Sequence, residues 1–477
     1  MDMRVPLGML YLGDSLKRNG YKVEAYHVME QEIDRELHRI DLRDVLFIGV
    51  CSVMTGYSLR CAMSFSKKIK TMQSEIPIVW GGVQPSAIPE ACLKEDFVDA
   101  VGVGEGEDLI VDIAKAYNGL IGFSEVKGLA FKDEAGHIVI NPRRDFIKNL
   151  DDYHADYSLI NLNRYIFGGA IYGLIMSSRG CPYNCAFCYN NAFNNRKWRK
   201  HSREYVINEL KKLRNQYEIS FITFSDDNFF ADQNRAVGIL EDAYKIGLRT
   251  GSLDIKINNL SEDLVKTLSR LEVASVFFGT ESLNSRLLKL INKQQTKEMV
   301  IAAISKFAKY APSISVQTEI LMALPFQRMS ELREDIRDGL ALYEFSHNLS
   351  MYYGVLFPLP NTKMMKYANV NGFCPHSLED YAQVDLNNVW SICDQWTLMD
   401  LTHKEKQKLY LTEKYSALIW FDRRPQGKTW FLFIRHTMLL ILFRLAKFRL
   451  KRWFFLFYQF DFAIAKWVGL IPKDFQV

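Results

Sequence analysis

An α/β architecture is predicted for residues 1–360 of this 477-residue chain, and three observations predict it. Short apolar runs alternate with helix-length stretches, in the rhythm that builds parallel sheets. The runs are close to continuously apolar, as in DVLFIGVCS at 44–52, which suits strands buried on both faces. The rhythm halts once, at a connector, and restarts with six further runs. The expectation is a doubly wound, Rossmann-like α/β domain over 1–125 and a hairpin with connector over 126–170. A partial (β/α)6 parallel barrel over 171–360 and a helical region over 361–477 follow. Hydrophobic residues at 48% and charged residues at 24% exclude a disordered, collagenous or disulfide-scaffold chain.

The first domain opens with a helix at Leu7–Asn19, which turns through Gly20 into a strand at Tyr21–Val28. Further strands are expected at Asp44–Ser52 and Ile76–Gly82, then at the start of Phe97–Asp108, which ends in a glycine-rich turn. Doubly wound sheets carry a strand before their first helix, and this chain starts almost at the helix. The domain is therefore expected to lack that strand. Residues 127–140, with Asp133-Glu134-Ala135-Gly136 at the turn, predict a β-hairpin. Barrel strands are expected at 173–180, 219–227, 252–258, 273–282, 313–325 and 349–360.

Eight cysteines are too few for a disulfide framework in a chain of this length. The sequence MDMRVPLGML shows no charged leader followed by a long apolar core, so a reducing cytoplasm is the expected setting. Cys181, Cys185 and Cys188 stand in RGCPYNCAFCYN with C-x3-C-x2-C spacing, on the loop after the first barrel strand. Parallel barrels place their active sites at that end of the strands. Three thiolates on a tight loop suit a [4Fe–4S] cube with one iron left open, able to chelate an amino and a carboxylate group. The competing reading is a structural zinc site with His201 as fourth ligand, although the finger spacing is absent. Cys51, Cys61, Cys92, Cys374 and Cys393 read as small buried hydrophobes.

The cysteine spacing, the aromatic Phe187 before the last cysteine and the barrel rhythm resemble the radical S-adenosylmethionine (SAM) superfamily. The resemblance implies that a cluster held by Cys181, Cys185 and Cys188 passes an electron to bound SAM. Its carbon–sulfur bond would break to give a 5′-deoxyadenosyl radical that abstracts hydrogen from substrate. It also implies SAM contacts from Phe187 and from Asp226 and Asp227 in FSDDNFF, where a carboxylate would meet the methionine ammonium. Gly279, Thr280, Glu281 and Ser282 in FFGTES are implied at the ribose and methionine, and Lys256 at the methionine carboxylate. The bland alternative for Asp227 and Lys256 is a solvated strand end.

Four pieces of the first domain, VPLGMLYLGDSLKRNGYKVE, DVLFIGVCSVMTG, IPIVWGGVQPS and VDAVGVGEGED, resemble in order the cobalamin-binding domain that precedes many such barrels. The implied cobalamin contacts are Ser52, Thr55, Gly81, Gly82, Val83, Gly104, Glu105 and Gly106, the glycines permitting close approach of a large flat ligand. The family's Asp-x-His-x-x-Gly signature is absent, and His27 lacks its context, so no histidine ligand to cobalt is expected. The alternative is a degenerate α/β domain that shields the barrel mouth.

Between Arg423 and Phe460 nine Lys or Arg residues meet no Asp or Glu, so the chain's formal +5 charge resides in this tail. Trp430, Trp453 and many Phe interleave with them. Arg435, Arg444, Lys447 and Arg449 interrupt every window of the roughly 20 apolar residues a spanning helix needs. Alternating aromatic and basic residues suit a membrane headgroup interface. Packing on the protein or a partner is the alternative, and nucleic acid is not expected because no motif for it is present.

Together these readings predict cobalamin-dependent C-methylation of an unactivated carbon. A lipid-like or membrane-associated substrate is expected from the tail alone. A non-methylating cyclisation or rearrangement is one alternative, and a membrane-docked iron–sulfur scaffold or sensor another. The implied reductant is a flavodoxin or ferredoxin, and the implied location the inner face of the membrane.

Overall fold

The computed structural model describes residues 4–51, 55–167, 170–370, 375, 377–385, 392, 401–421, 432–456 and 458–467. They fall into two compact units. Those of Met1–Gly251, Leu359–Lys366 and Cys374–Leu386 form the first, and those of Ser252–Pro358, Tyr367–Phe373 and Asn387–Val477 the second. The division falls inside the region expected as one barrel.

In the first unit, strands β1 (Ile48–Cys51), β2 (Ile78–Gly81) and β3 (Ala100–Gly102) pair in parallel. The hairpin β4 (Leu129–Lys132) and β5 (Ile138–Ile140) extends the sheet antiparallel, in the order β1-β2-β3-β4-β5. Val79, Ala100, Leu109, Ile113, Val126 and Leu129 make its buried core, with Phe47, Phe123 and Phe131 packed against them. Trp80 is fully buried and satisfies its indole by donating to Ser66 Oγ at 3.0 Å.

The expected strand at Tyr21–Val28 forms no ladder. Among the described residues no strand precedes the helix Leu7–Arg18, so the segment has no central neighbour to pair with. Its polar groups go elsewhere: His27 Nδ1 lies 2.8 Å from the Tyr165 hydroxyl, and Arg164 donates to the His27 carbonyl at 3.2 Å.

A second sheet follows in the order β11-β10-β7-β6, from β6 (Ile166–Phe167), β7 (Ala170–Ile175), β10 (Phe221–Phe224) and β11 (Arg249–Thr250). The two-residue strands β8 (Ser178–Arg179) and β9 (Arg199–Lys200) pair with each other. The expected strand 173–180 therefore ends early, at Ile175, and releases the chain into the cysteine loop. The helices Arg203–Gln216 and Gln233–Lys245 start at Ser202 and Asp232, whose side chains accept from Tyr205 N and Arg235 N.

The second unit holds a four-stranded parallel sheet, β12 (Ser252–Asp254), β13 (Ser275–Glu281), β14 (Ser315–Met322) and β15 (Leu349–Val355), in that order. The strand expected at 252–258 is thus cut short to β12, and Gly251 separates it from β11, which pairs with β10. A Cβ on Gly251 would lie 2.7 Å from Phe221 and Thr223. Ser261 and Thr296 cap the helices Glu262–Arg270 and Lys297–Tyr310.

The C-terminal helices are His403–Phe421, Leu432–Arg452 and Tyr458–Trp467. A buried Asp461 joins all three: it accepts from Arg449 Nε at 2.9 Å and from the Tyr415 hydroxyl. Arg423, Arg424, Lys428 and Trp430 of the basic tail, and Cys374 and Cys393, lie outside the described residues. No helix among the described residues is long and apolar enough to cross a membrane.

Removing one partner of a buried ion pair strands the other charge, so Asp461→Ala is expected to cost about 3–5 kcal/mol. The measurement is thermal unfolding followed by circular dichroism. The double change Arg449→Met with Asp461→Leu, which removes both charges, is expected to recover most of the loss.

Candidate active site

The cysteine loop leaves the end of β8 through Arg179 and Gly180. Gly180 has φ +83°, and a Cβ there would run into the Lys197 carbonyl, so only glycine permits this turn. Within the loop, Cys188 N donates to the Cys185 carbonyl at 3.2 Å, and Asn191 Nδ2 donates to the same oxygen at 2.6 Å. Cys185 is buried while Cys181, Phe187 and Cys188 are half-buried. Asn228 Nδ2 donates to Cys181 Sγ at 3.6 Å. Burial pushes the Cys188 thiol up to about 11, with Cys185, Asp227 and Cys181 adding to the shift. A bound cationic centre reverses that preference, because a metal takes the thiolate.

Among the described residues no three His, Cys, Asp or Glu side chains converge as they would around one metal ion. A cube spreads its thiolate ligands over separate irons, so the C-x3-C-x2-C donor set fits it. His201, the zinc-site alternative, is wholly buried elsewhere: its Nδ1 lies 3.0 Å from Asp151 and its ring stacks on Tyr205 at 4.0 Å. Burial drives its pKa down to about 4.

Asp226 and Asp227 follow β10, the first turning to the exit of β7 and the second to the cysteine loop. Asp226 accepts from Ser177 N and Ser177 Oγ, each at 2.7 Å, and from Ser178 Oγ. Arg235 donates to the Ser177 carbonyl at 2.6 Å and to the His201 carbonyl at 2.9 Å. Burial raises Asp226 to about 6 against the lowering effect of the serine hydrogen bonds. Asp227 accepts from Gly180 N at 2.9 Å and from the Tyr189 hydroxyl. These are the carboxylates that the resemblance implies at a methionine ammonium, and in the structure they hold Ser177, Ser178, Gly180 and Tyr189.

A buried network joins this loop to the first domain. Arg179 Nη1 donates to Glu105 at 3.1 Å and Nη2 to Glu107. Arg199 Nη1 donates to the other Glu105 oxygen at 2.6 Å, and Ile147 N donates to that same oxygen at 2.8 Å. Arg179 also lies over the Tyr11 ring at 5.1 Å. Burial works against the Arg179 charge, but Glu107 and Glu105 outweigh it and raise its pKa. Glu105, a residue the resemblance implies at cobalamin, also forms these buried ion pairs. Arg179, Glu107 and Arg199 were invisible to motif reading because their partners lie 72–94 residues away.

The other cobalamin candidates sit at the ends of β2 and β3. Gly82 (φ +106°) and Gly104 (φ +102°) occupy backbone conformations that favour glycine, and open space lies beside Gly81. Val83 begins the short helix Val83–Ala87. Gly106 abuts Leu12, which a Cβ there would approach to 2.6 Å. Gln84, two residues past Gly82, is buried; its Oε1 accepts from Thr55 Oγ1 at 3.0 Å, and its Nε2 has no partner. An orphaned buried amide beside glycine-lined strand ends fits a polar planar ligand, so these residues fit cobalamin. Only its place inside GGVQPS marks Gln84 in the sequence. Ser52 lies outside the described residues.

In the second unit, GTES ends β13 on a register shift between Gly279 and Glu281, and Glu281 has φ +60°. Lys293 Nζ donates to Glu281 at 2.7 Å, and Gln295 Nε2 donates to the carbonyls of Gly279 (3.1 Å) and Thr280 (2.8 Å). A Cβ on Gly279 would collide with the Glu281 carboxylate. Thr280 Oγ1 lies 2.7 Å from Thr318 Oγ1, and Ser282 Oγ donates to Asp335 at 2.6 Å. Lys256 Nζ donates to the Lys293 carbonyl at 3.2 Å. Sequence reading missed Lys293, Asp335 and Glu319. Burial, then the charge of Glu281, lifts Glu319 to about 7, with Lys293 opposing.

A family model of the radical SAM superfamily matches residues 175–338, and one of the B12 binding domain matches residues 4–114. An uncharacterized methyltransferase of Pyrococcus horikoshii is 28% identical over 379 residues, covering 77% of this chain and 79% of that protein. Cytidylyl-2-hydroxyethylphosphonate methyltransferase of Streptomyces wedmorensis is 22% identical, covering 77% and 78%. Hopanoid C-3 methylase of Methylococcus capsulatus is 26% identical, covering 61% and 56%. Among solved structures, the cobalamin-dependent SAM radical enzyme OxsB, with aqua-cobalamin and SAM bound, superposes with a TM-score of 0.69 at 16% identity. That match covers 98% of this chain and 73% of the other.

Two tests follow from this geometry. Glu105→Gln leaves Arg179 and Arg199 facing a neutral amide and is expected to destabilise by about 3–5 kcal/mol. Iron and sulfide content after anaerobic reconstitution is expected to fall with it, and Gly180→Ala to abolish loading. The second test concerns pH. The Glu319 pKa is raised on folding, so its contribution to stability is present below the ordinary carboxylate range and is lost as pH rises through about 7. Melting temperature is therefore expected to fall between pH 5 and 8 in wild type, and to fall less in Glu319→Gln.

Proposed function

This chain belongs to the radical SAM enzymes that carry a cobalamin-binding domain, and on that premise we propose that it methylates an unactivated carbon of an apolar, lipid-like substrate. The cofactors are those of the family: a [4Fe–4S] cluster, SAM and cobalamin. The observation that carries the reading is the buried network of Arg179, Arg199, Glu105 and Glu107, which fastens the glycine-lined strand ends to the cysteine loop inside one compact unit. Two groups that must act on one substrate carbon need a fixed separation, and an ion-pair network supplies it. The methyltransferases among the relatives support methylation, and the hopanoid methylase supports an apolar acceptor.

When bound, the cluster supplies single electrons, SAM a cleavable sulfonium and cobalamin a transferable methyl group. This chain's own residues hold the parts. Cys181, Cys185 and Cys188 are the cluster ligands of the reading, with Asp227 and Asn191 shaping their loop. Gln84 and the backbone at Gly81, Gly82 and Gly104 would hold the corrin side. In the second unit Lys293 fixes Glu281, which the resemblance implies at SAM, on a strained strand end.

The experiment is anaerobic reconstitution with SAM carrying a deuterated methyl group and a strong reductant, presented with polycyclic and acyl lipids. The expected outcome is 5′-deoxyadenosine together with a lipid that has gained the labelled methyl. A product that forms a ring and gains no label would replace methylation with cyclisation. An intact cluster without SAM cleavage would remove the catalytic reading.

A further inference from the structure

The helix Leu432–Arg452 is apolar on its inner face and, unusually, on its outer one. Leu442, Phe443, Ala446 and Leu450 are buried, as a packed helix requires. Yet Ile441 (59% exposed) and Phe448 (52%) stand in solvent one above the other, seven residues apart, with exposed Arg444 between them. Exposed Lys451 and Arg452 close the helix, and Phe454, Leu456 and Phe460 (74%) are also exposed just past its end.

Arg449 shows that this exposure is not a loose end. It points inward, and its charge is neutralised by Asp461, which also binds Tyr415. The three helices are thereby tied, and the face with Ile441, Phe448 and Phe460 is held out by a packed scaffold. No carboxylate falls anywhere between Arg423 and Phe460. A protein partner of ordinary composition would gain from some acceptors here, whereas a sheet of anionic headgroups over acyl chains complements this composition throughout.

We propose that this face docks on an anionic bilayer surface, with Phe448, Phe454, Leu456 and Phe460 entering the headgroup boundary and Arg444, Lys451 and Arg452 meeting lipid phosphates. The helix lies on the surface and does not cross it. None of these residues belongs to the active site, so the docking stands apart from the choice of substrate.

The test is co-sedimentation of the full-length, anaerobically reconstituted protein with vesicles of phosphatidylcholine alone or of phosphatidylcholine with phosphatidylglycerol. Binding is expected to the mixed vesicles, to weaken as salt is raised, and to be much poorer on phosphatidylcholine alone. Reversing three charges (Arg444→Glu, Lys451→Glu, Arg452→Glu) is expected to lower binding by roughly 100-fold. Because that variant could disturb folding, the neutral set Arg444→Gln, Lys451→Gln, Arg452→Gln is measured beside it and is expected to lose binding in the same direction. Replacing Phe448, Phe454 and Phe460 by Ser is expected to reduce binding to the mixed vesicles with iron content and SAM cleavage unchanged. Equal binding to both vesicle types, no binding to either, or full binding by the glutamine set overturns the proposal. So does saturable capture of RNA in place of vesicles.

Discussion

The joining of the cysteine loop to the glycine-lined strand ends depends on one buried arrangement of charges. Arg179 and Arg199 meet Glu105 and Glu107 with all four side chains about a tenth exposed or less. Removing such groups from water is costly, and mutual attraction offsets that cost only when the geometry is complete. The arrangement is therefore a poor source of raw stability and a good source of register. Arg179 sits two residues before Cys181, and Glu105 lies between Gly104 and Gly106, so the same contact fixes both loops.

The strand-end carboxylates follow the same logic at smaller scale. Asp226 and Asp227 are adjacent in sequence and divide their work: one holds Ser177 and Ser178 at the exit of β7, the other holds Gly180 and Tyr189 in the cysteine loop. Glu281 is held against Lys293 on a backbone that L-residues seldom adopt. Three carboxylates that look alike in a motif thus have three different local tasks, set by which donors the fold brings within reach.

Legibility in the sequence followed the range of the interaction. The strands at Ile48–Cys51, Ile78–Gly81 and Ser275–Glu281 could be read from continuous apolar runs, and the hairpin Leu129–Ile140 from its Asp-to-Gly turn. Helix starts at Ser202, Asp232, Ser261 and Thr296 are local events in which a side chain accepts from a backbone amide three residues on. The segment Tyr21–Val28 misled because β-propensity says a run fits a pleated surface, and pairing requires a neighbour that the described residues do not supply. Lys293, Asp335 and Arg199 could not be found, because nothing near them in sequence reveals their partners, and only its place in GGVQPS marks Gln84.

The sequence by itself determined the chemistry on offer: three cysteines at cluster spacing, glycines at the strand ends, and a tail in which basic and aromatic residues occur without acids. Those features are properties of composition and short spacing, and survive any packing. Only the tertiary structure decided which charges face one another. It set Glu105 in a buried network with Arg179 and Arg199, and made Arg449, one of nine basic residues of the tail, the buried partner of Asp461. The physical reason is that Coulomb attraction and burial depend on distance in space, which the chain sets only once it has folded.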